Sequence, residues 1–349
     1  MNKYKVSVII PCYNGEKFLK RCLESLKQQT MNFKYIEVIF VNDCSTDNSN
    51  NILMEFSKKY SNCKIFNLKK NSGGPAKPVR IGIEKATSNY IMFLDCDDTY
   101  EKNMCEVLYN TIIETNVDFV VCNHNELKNR KSLIKKQKEN LERTVYNPKK
   151  DFKVLSKIAR WDKIFNRKFM IDNNINCPID IAVSDDVILC TKAYLNSNQV
   201  ISLENFFGYN YYIYESEDSK SFSRDINSSL IKNALYGYFY LAKLIKSEKR
   251  DEILPFVFEP HLRTTLTNFI KLSDSTSNKI SFLKEIYDFE KFLDTPIIFK
   301  EKWARILNYL IIKRKFKLAI LFSNIIKILI NSKTIRQIHR NQIQKKVNS

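Results

Sequence analysis

Three carboxylates stand within four residues at Asp95-Cys96-Asp97-Asp98, directly after the apolar run Tyr90-Ile91-Met92-Phe93-Leu94. Like charges this close repel one another and lose solvation. A divalent cation, or hydrogen bonds from a polar ligand, would relieve that cost. The apolar run reads as a buried strand, and ligands of open α/β sheets sit outside the carboxyl ends of the strands. The competing reading is a solvated acidic turn capping a helix that begins near Glu101. Two other strand-like runs also end in polar groups. Val6-Ser7-Val8-Ile9-Ile10 leads to Pro11, Tyr13, Asn14 and Glu16, and the run Ile36 to Val41 leads to Asn42, Asp43, Ser45 and Asp47. In a parallel sheet these ends line one crevice, although Asp43 alone could be a helix cap and Tyr13 a packing aromatic.

The elements that would position these groups alternate. Phe18, Leu19, Cys22, Leu23 and Leu26 share a helical face, as do Ile52, Leu53 and Phe56. Cys63 to Leu68 is a third strand, and a short helix carries Val79, Ile83 and Ala86. Met104, Leu108, Ile112 and Thr115 mark the helix after the acidic cluster, and Asp118 to Cys122 a fifth strand. Strands separated by helices predict an α/β, Rossmann-like, mostly parallel sheet with helices on both faces. Residues 124–150 are polar and basic and read as an insertion, a solvated hairpin or a helix pair. Near Asn227 the alternation stops, which divides the chain into 1–226 and a mainly helical, basic C-terminal region, 227–349.

The 349 residues carry a formal net charge of +19, which suits an anionic partner. The nine cysteines are odd in number and form no C-x-x-C pair, so a reducing cytosol fits better than a disulfide framework. The apolar stretch Val6 to Ile10 is too short for a signal-peptide core, and no run of about 20 apolar residues is present. A cytoplasmic protein is expected, with peripheral contact to the inner membrane face an option. Neither G-x-G-x-x-G nor G-x-x-x-x-G-K-[ST] occurs, which argues against dinucleotide and P-loop sites.

Val6 to Asn14, Glu37 to Asp47 and Leu94 to Asp98 together resemble the family 2 glycosyltransferases, whose fold is GT-A. The three motifs occur in that family's order and spacing over roughly residues 5–125. The resemblance implies a nucleotide-sugar half over 1–125 and an acceptor half over 151–226. It implies that Asp43 binds the base, that Pro11 and Tyr13 wall its pocket, that Glu16 lies near the ribose, that Asp95 contacts the nucleoside, and that Asn14 and Cys96 also belong to the nucleotide-sugar site. Asp97 would hold Mn²⁺ or Mg²⁺, with Asp98 close by. Asn71 and Arg80 fall in the family's loop-helix segment, but counting back from Gly82 puts Arg80 where the family has Asn and Val79 where it has Arg.

Ser184-Asp185-Asp186 resembles the family's Glu-Asp pair, with Asp186 in the place of the catalytic base and Asp185 replacing Glu. An inverting transfer needs one carboxylate to take the acceptor's proton. Helix capping by Ser184 is the alternative. Trp161 either stacks on a sugar face or packs in the core. Arg224 resembles a phosphate contact in a segment closing over the diphosphate. The implied function is an inverting, metal-dependent glycosyltransferase. It would move a sugar from a nucleotide sugar, UDP-linked by expectation, to a hydroxyl of a glycan, polyol-phosphate or lipid-linked acceptor in bacterial surface polysaccharide synthesis. Nucleic acid is not an expected partner.

A sugar-phosphate nucleotidyltransferase would carry a Gly-rich, Lys/Arg-containing signature where this chain has Tyr13-Asn14-Gly15-Glu16. A catalytically inactive basic membrane-binding protein would gain nothing from a carboxylate-lined crevice. From Lys300 onward Glu301 is the only acidic residue, and apolar segments alternate with Lys313-Arg314-Lys315-Phe316-Lys317. That region reads as an amphipathic pair on an anionic membrane, a helical oligomer interface, or the core face of a small helical domain.

Overall fold

The structure is a computed structural model that describes residues 3–128, 140–181, 183–213 and 228–331. The chain divides into two compact units, residues 1–221 and 222–349.

In the first unit, β1 (Val6–Cys12), β2 (Ile36–Asn42), β3 (Cys63–Asn67) and β4 (Tyr90–Phe93) run parallel in the order β3-β2-β1-β4. Every residue of β1 and β2 is buried, as expected of strands covered on both faces. The crossovers are α1 (Glu16–Lys27), α2 (Ser49–Lys59) and α3 (Ala76–Lys85). Helix α1 buries Leu19, Cys22, Leu23 and Leu26, a stripe at helical spacing. Helix α3 lies flush on β1 because Gly82 has no side chain: a Cβ there would stand 2.2 Å from Ile9 Cγ2.

One buried charge inside this layer is fully met. Glu37 pairs in register with Ser7, and its carboxylate accepts from Ser7 Oγ (2.5 Å), Lys64 Nζ (2.7 Å), Thr87 N (2.8 Å) and Thr87 Oγ1 (2.9 Å). Burial pushes the carboxyl up, but the Lys64, Ser7 and Thr87 bonds win and hold it below its ordinary value.

The rest of the unit comprises β5 (Thr99–Tyr100), α4 (Met104–Thr115), β6 (Phe119–Lys128), β7 (Arg143–Tyr146), β8 (Lys163–Asn166), α5 (Arg167–Asp172), α6 (Asp185–Asn196) and β9 (Val200–Ile213). The sheet continues β4-β8-β6-β9-β5, with β7 on β9. Here it becomes mixed: β8 is antiparallel to both β4 and β6, and β9 is antiparallel to β5 and β7. Only β6 and β9 pair in parallel, with register shifts near Asn123. The strand-helix alternation that reads as mostly parallel therefore describes the first half of the sheet. The polar stretch 124–150 contains the end of β6 and all of β7, and its residues 129–139 lie outside the described residues.

The second unit holds α7 (Ser228–Ser247), α8 (Leu254–Lys271), α9 (Thr276–Leu293), α10 (Lys302–Ile312) and α11 (Phe316–Asn331). Phe258, Phe269, Phe282 and Phe289 form its buried aromatic centre. Helix α11 exposes Leu318, Leu321, Ile325, Ile328 and Leu329. No helix among the described residues is long and apolar enough to cross a membrane.

Candidate active site

The carboxyl ends of β1, β2 and β4 meet as three loops. The first two are laced together. Asn14 Oδ1 accepts from Thr46 N (2.8 Å), Asn14 N donates to Ser45 Oγ (3.0 Å), and Gly15 N donates to Ser49 Oγ (2.8 Å). Glu16 N donates to Asp47 Oδ2 and Glu16 Oε2 accepts from Asn48 N, each at 3.0 Å. Asn14 (φ 49°) and Cys44 (φ 60°) adopt left-handed backbone, a conformation that side chains rarely take and that clusters at functional sites. Pro11 is buried at the end of β1, while Tyr13 is 49% exposed beside it.

Asp43 is 3% exposed and faces the loop before α3. Its carboxylate accepts from Ser72 N (2.9 Å), Ser72 Oγ (2.8 Å) and Asn71 Nδ2 (3.3 Å). Burial raises this carboxyl above its ordinary value against the Ser72 bonds and Lys77. Arg80 lies one turn into α3 and pairs with Glu84 at 3.3 Å. Cys96 lies against Cys12, and both sulfurs lie beneath Gly15.

The acidic turn resolves its own repulsion in three ways. Asp95 Oδ1 accepts from Arg160 Nη2 at 2.7 Å. Asp98 is buried and accepts from Tyr209 Oη (2.7 Å) and Tyr212 N (2.8 Å), which ties the turn to β9. Burial, then Asp97 and Asp95, push the Asp98 carboxyl well above its ordinary value. Asp98 is thus directed into the fold rather than toward a cation. Asp97 is half-buried, and its main-chain oxygen accepts from Arg21 Nη2. Asp97 is the candidate ligand for an ion. That donor set fits Mg²⁺ or Mn²⁺, which take one or two carboxylates and complete their shell with diphosphate and water oxygens. Among the described residues no group of three or more His, Cys, Asp or Glu side chains converges to hold an ion.

Arg160 is the residue that sequence reasoning missed. It lies just before Trp161, and its side chain is 3% exposed. Nη1 bonds Asp185 Oδ2 (2.7 Å) and Asp186 Oδ1, while Nη2 holds Asp95. Burial alone would lower the guanidinium's pKa, but three carboxylates keep it charged. Three carboxylates crowd around this one cation. Burial, with Asp185 and Asp95 adding to it and Arg160 opposing, pushes Asp186 up to about 8. Burial and Asp95 likewise raise Asp185. Asp185 and Asp186 open α6 after Ser184, whose φ is 75° and whose side chain makes no capping bond. The Asp186 side chain is 26% exposed.

Trp161 is buried in a stack of aromatic rings, 4.1 Å from Tyr209 and 5.8 Å from Tyr211, with His124 edge-on at 4.9 Å. It belongs to the packing beneath the site. Tyr209, with its ring on Trp161 and its hydroxyl on Asp98, is a second residue that the sequence did not single out. Arg224 lies outside the described residues.

The glycosyl transferase family 2 model matches residues 7–178. A poly(ribitol-phosphate) β-glucosyltransferase of Bacillus spizizenii is 30% identical over 63% of this chain and 33% of its own length. The poly(ribitol-phosphate) β-N-acetylglucosaminyltransferase TarS of Staphylococcus aureus is 27% identical over 82% of this chain and 49% of its own. The chain thus spans a third to a half of these relatives. The crystal structure of S. aureus TarS 1–349 in complex with UDP-GlcNAc superposes with a TM-score of 0.71 at 23% identity, covering 91% of this chain and 90% of that one, and so has the same fold. The first unit of this chain carries a glycosyl transferase family 2 domain on a GT-A scaffold.

Proposed function

We propose that this protein transfers a sugar from a UDP-sugar to a hydroxyl of a polyol-phosphate polymer, with inversion at the anomeric carbon. One observation carries the reading: a single guanidinium joins Asp95, at the donor corner, to Asp186, at the opening of α6. The nucleotide crevice and the proton acceptor are thereby neighbours. The relatives support the choice of substrate, since their names give poly(ribitol phosphate) as acceptor and one solved neighbour is a complex with UDP-GlcNAc.

Each residue then has a task. Asp43, Tyr13 and Asn14 shape the nucleotide end. Asp97 would hold a Mg²⁺ or Mn²⁺ ion, which when bound neutralises charge on the departing diphosphate. The acceptor oxygen attacks the anomeric carbon, the bond from that carbon to the diphosphate breaks, and the acceptor's proton passes to Asp186. Arg160 orients Asp186 and keeps part of its negative charge balanced before the substrate arrives. Arg80 is a candidate phosphate contact from α3.

Calorimetric titration of UDP with and without Mn²⁺, followed by a transfer assay on poly(ribitol phosphate), tests the reading. UDP binding that requires Mn²⁺ and sugar incorporation into the polymer support it. UDP binding with no incorporation from any UDP-sugar would remove the polyol-phosphate acceptor.

The exposed aliphatic face of α11 favours a further contact. Leu318, Leu321, Ile325 and Ile328 are exposed along this helix, and exposed Lys313, Lys315 and Lys317 stand at its start. We propose that this face rests on an anionic lipid surface. Vesicles containing phosphatidylglycerol should pellet the wild-type chain and should not pellet Leu321→Glu/Ile325→Glu. Equal recovery in the supernatant would refute the contact.

A further inference from the structure

A groove of about 710 Å³ runs beside the donor corner, between α1 and the turn that contains β5. Lys17, Lys20 and Arg21 line it from α1, and Lys102 lines it from the other side. Two carboxylates, Glu24 and Glu101, also line it. Glu24 is paired with Lys27 at 2.8 Å, and Glu101 Oε1 accepts from Asn210 Nδ2 at 2.8 Å. The lining cations outnumber these carboxylates, and Lys20 and Lys102 are exposed. The groove also connects to the chemistry. Arg21 lies on its wall, stacks on Tyr212 at 3.8 Å and donates to the main-chain oxygen of Asp97.

We propose that this groove binds phosphate groups of the polymeric acceptor, a second anion site separate from the donor's diphosphate. The proposal rests on the polyol-phosphate reading above and extends it. Length decides against the donor as occupant. The lining on α1 runs from Lys17 to Gln28, about 16 Å at 1.5 Å per residue, far more than a diphosphate spans. A polymer whose reacting hydroxyl sits near Asp186 must leave the crevice somewhere. Helix α1 starts at the crevice loop and leads away from it. Lys17, Lys20 and Arg21 are three and four positions apart, so they present charge along one helix face. A regularly spaced polyanion meets such a row by releasing counterions, which predicts binding that weakens as salt rises.

The test uses the full chain and the variants Lys20→Glu/Lys102→Glu and Lys20→Gln/Lys102→Gln. Neither residue belongs to the nucleotide or proton-transfer machinery. The readouts are anisotropy of labelled poly(ribitol phosphate), KM for that polymer, KM for a single ribitol phosphate, and UDP affinity. The charge-reversed variant should weaken polymer binding and raise polymer KM by at least ~10-fold, with a flatter salt dependence. The glutamine variant should fall between it and wild type. UDP affinity, kcat and the KM for single ribitol phosphate should stay at wild-type values. Unchanged polymer binding would overturn the groove assignment. Equal losses on polymer and on single ribitol phosphate would overturn it too, because the effect would then lie at the crevice. Failure of the underlying reading is distinct: wild-type protein would bind UDP yet transfer to no polyol phosphate, while the anisotropy comparison still reports on the groove.

Discussion

Asp95 and Asp186 share one guanidinium: Arg160 holds the first through Nη2 and the second through Nη1. The donor corner and the candidate base are thus pre-assembled by a buried cation. Removing that cation strands carboxylates without a partner, which typically costs about 3–5 kcal/mol. Arg160→Met should therefore melt lower than wild type. Because Arg160 opposes the rise of the Asp186 pKa, its loss should also move the acid limb of the kcat–pH profile to higher pH. Arg160→Lys, which keeps the charge, should restore part of that shift. An unmoved acid limb in both variants would contradict the coupling.

The pH dependence has a definite sign. Asp186 is pushed up to about 8, and a general base works when deprotonated. Below that pH, kcat should fall by about tenfold per unit. Stability should move the other way. A carboxyl whose folded pKa lies above its unfolded value binds its proton more tightly when folded, so its contribution falls as pH rises from the unfolded pKa toward 8. Asp186→Asn should consequently raise the Tm more at pH 8 than at pH 5. A kcat–pH profile flat between pH 6 and pH 9 would count against Asp186.

Asp97 and Asp98 are adjacent but differ in burial and partners. Asp97→Asn should abolish the Mn²⁺ dependence of UDP binding. Asp98→Asn should keep that dependence, because Asp98 already accepts from Tyr209 and Tyr212. Calorimetry with UDP separates the two. Loss of Mn²⁺ dependence in a folded Asp98→Asn variant would place the ion on the wrong carboxylate.

Gly82→Ala places a Cβ 2.2 Å from Ile9 Cγ2. Helix α3 must then lift from β1 or Ile9 must move, at about 1–3 kcal/mol. Chemical denaturation should show that loss. Gly82→Ala/Ile9→Val should recover part of it, since it removes a methyl group from the contact.

The crevice was legible because its three loops each follow a continuous apolar run, and local sequence carries both signals. The first half of the sheet was legible for the same reason. The antiparallel insertion of β8 between β4 and β6 was not, because four residues, Lys163–Asn166, carry no period that reveals their direction. Arg160 was missed because its partners lie far along the chain, at Asp95 and at Asp185-Asp186. The signal available was a cation directly before the aromatic segment that starts at Trp161. The cost of the acidic cluster was also legible, but its resolution was not. Arg160, Tyr209 and the Tyr212 amide relieve much of it, which is why Asp97 alone is proposed to hold a cation.

The most direct test of the central claim compares Asp186→Asn with wild type in two assays on one preparation: UDP affinity in Mn²⁺, and sugar transfer from UDP-sugars to poly(ribitol phosphate). Asn keeps the shape and removes the proton acceptor. UDP affinity should stay within about threefold of wild type, and transfer should fall by about 10²–10⁴-fold. Wild-type turnover by Asp186→Asn would contradict it.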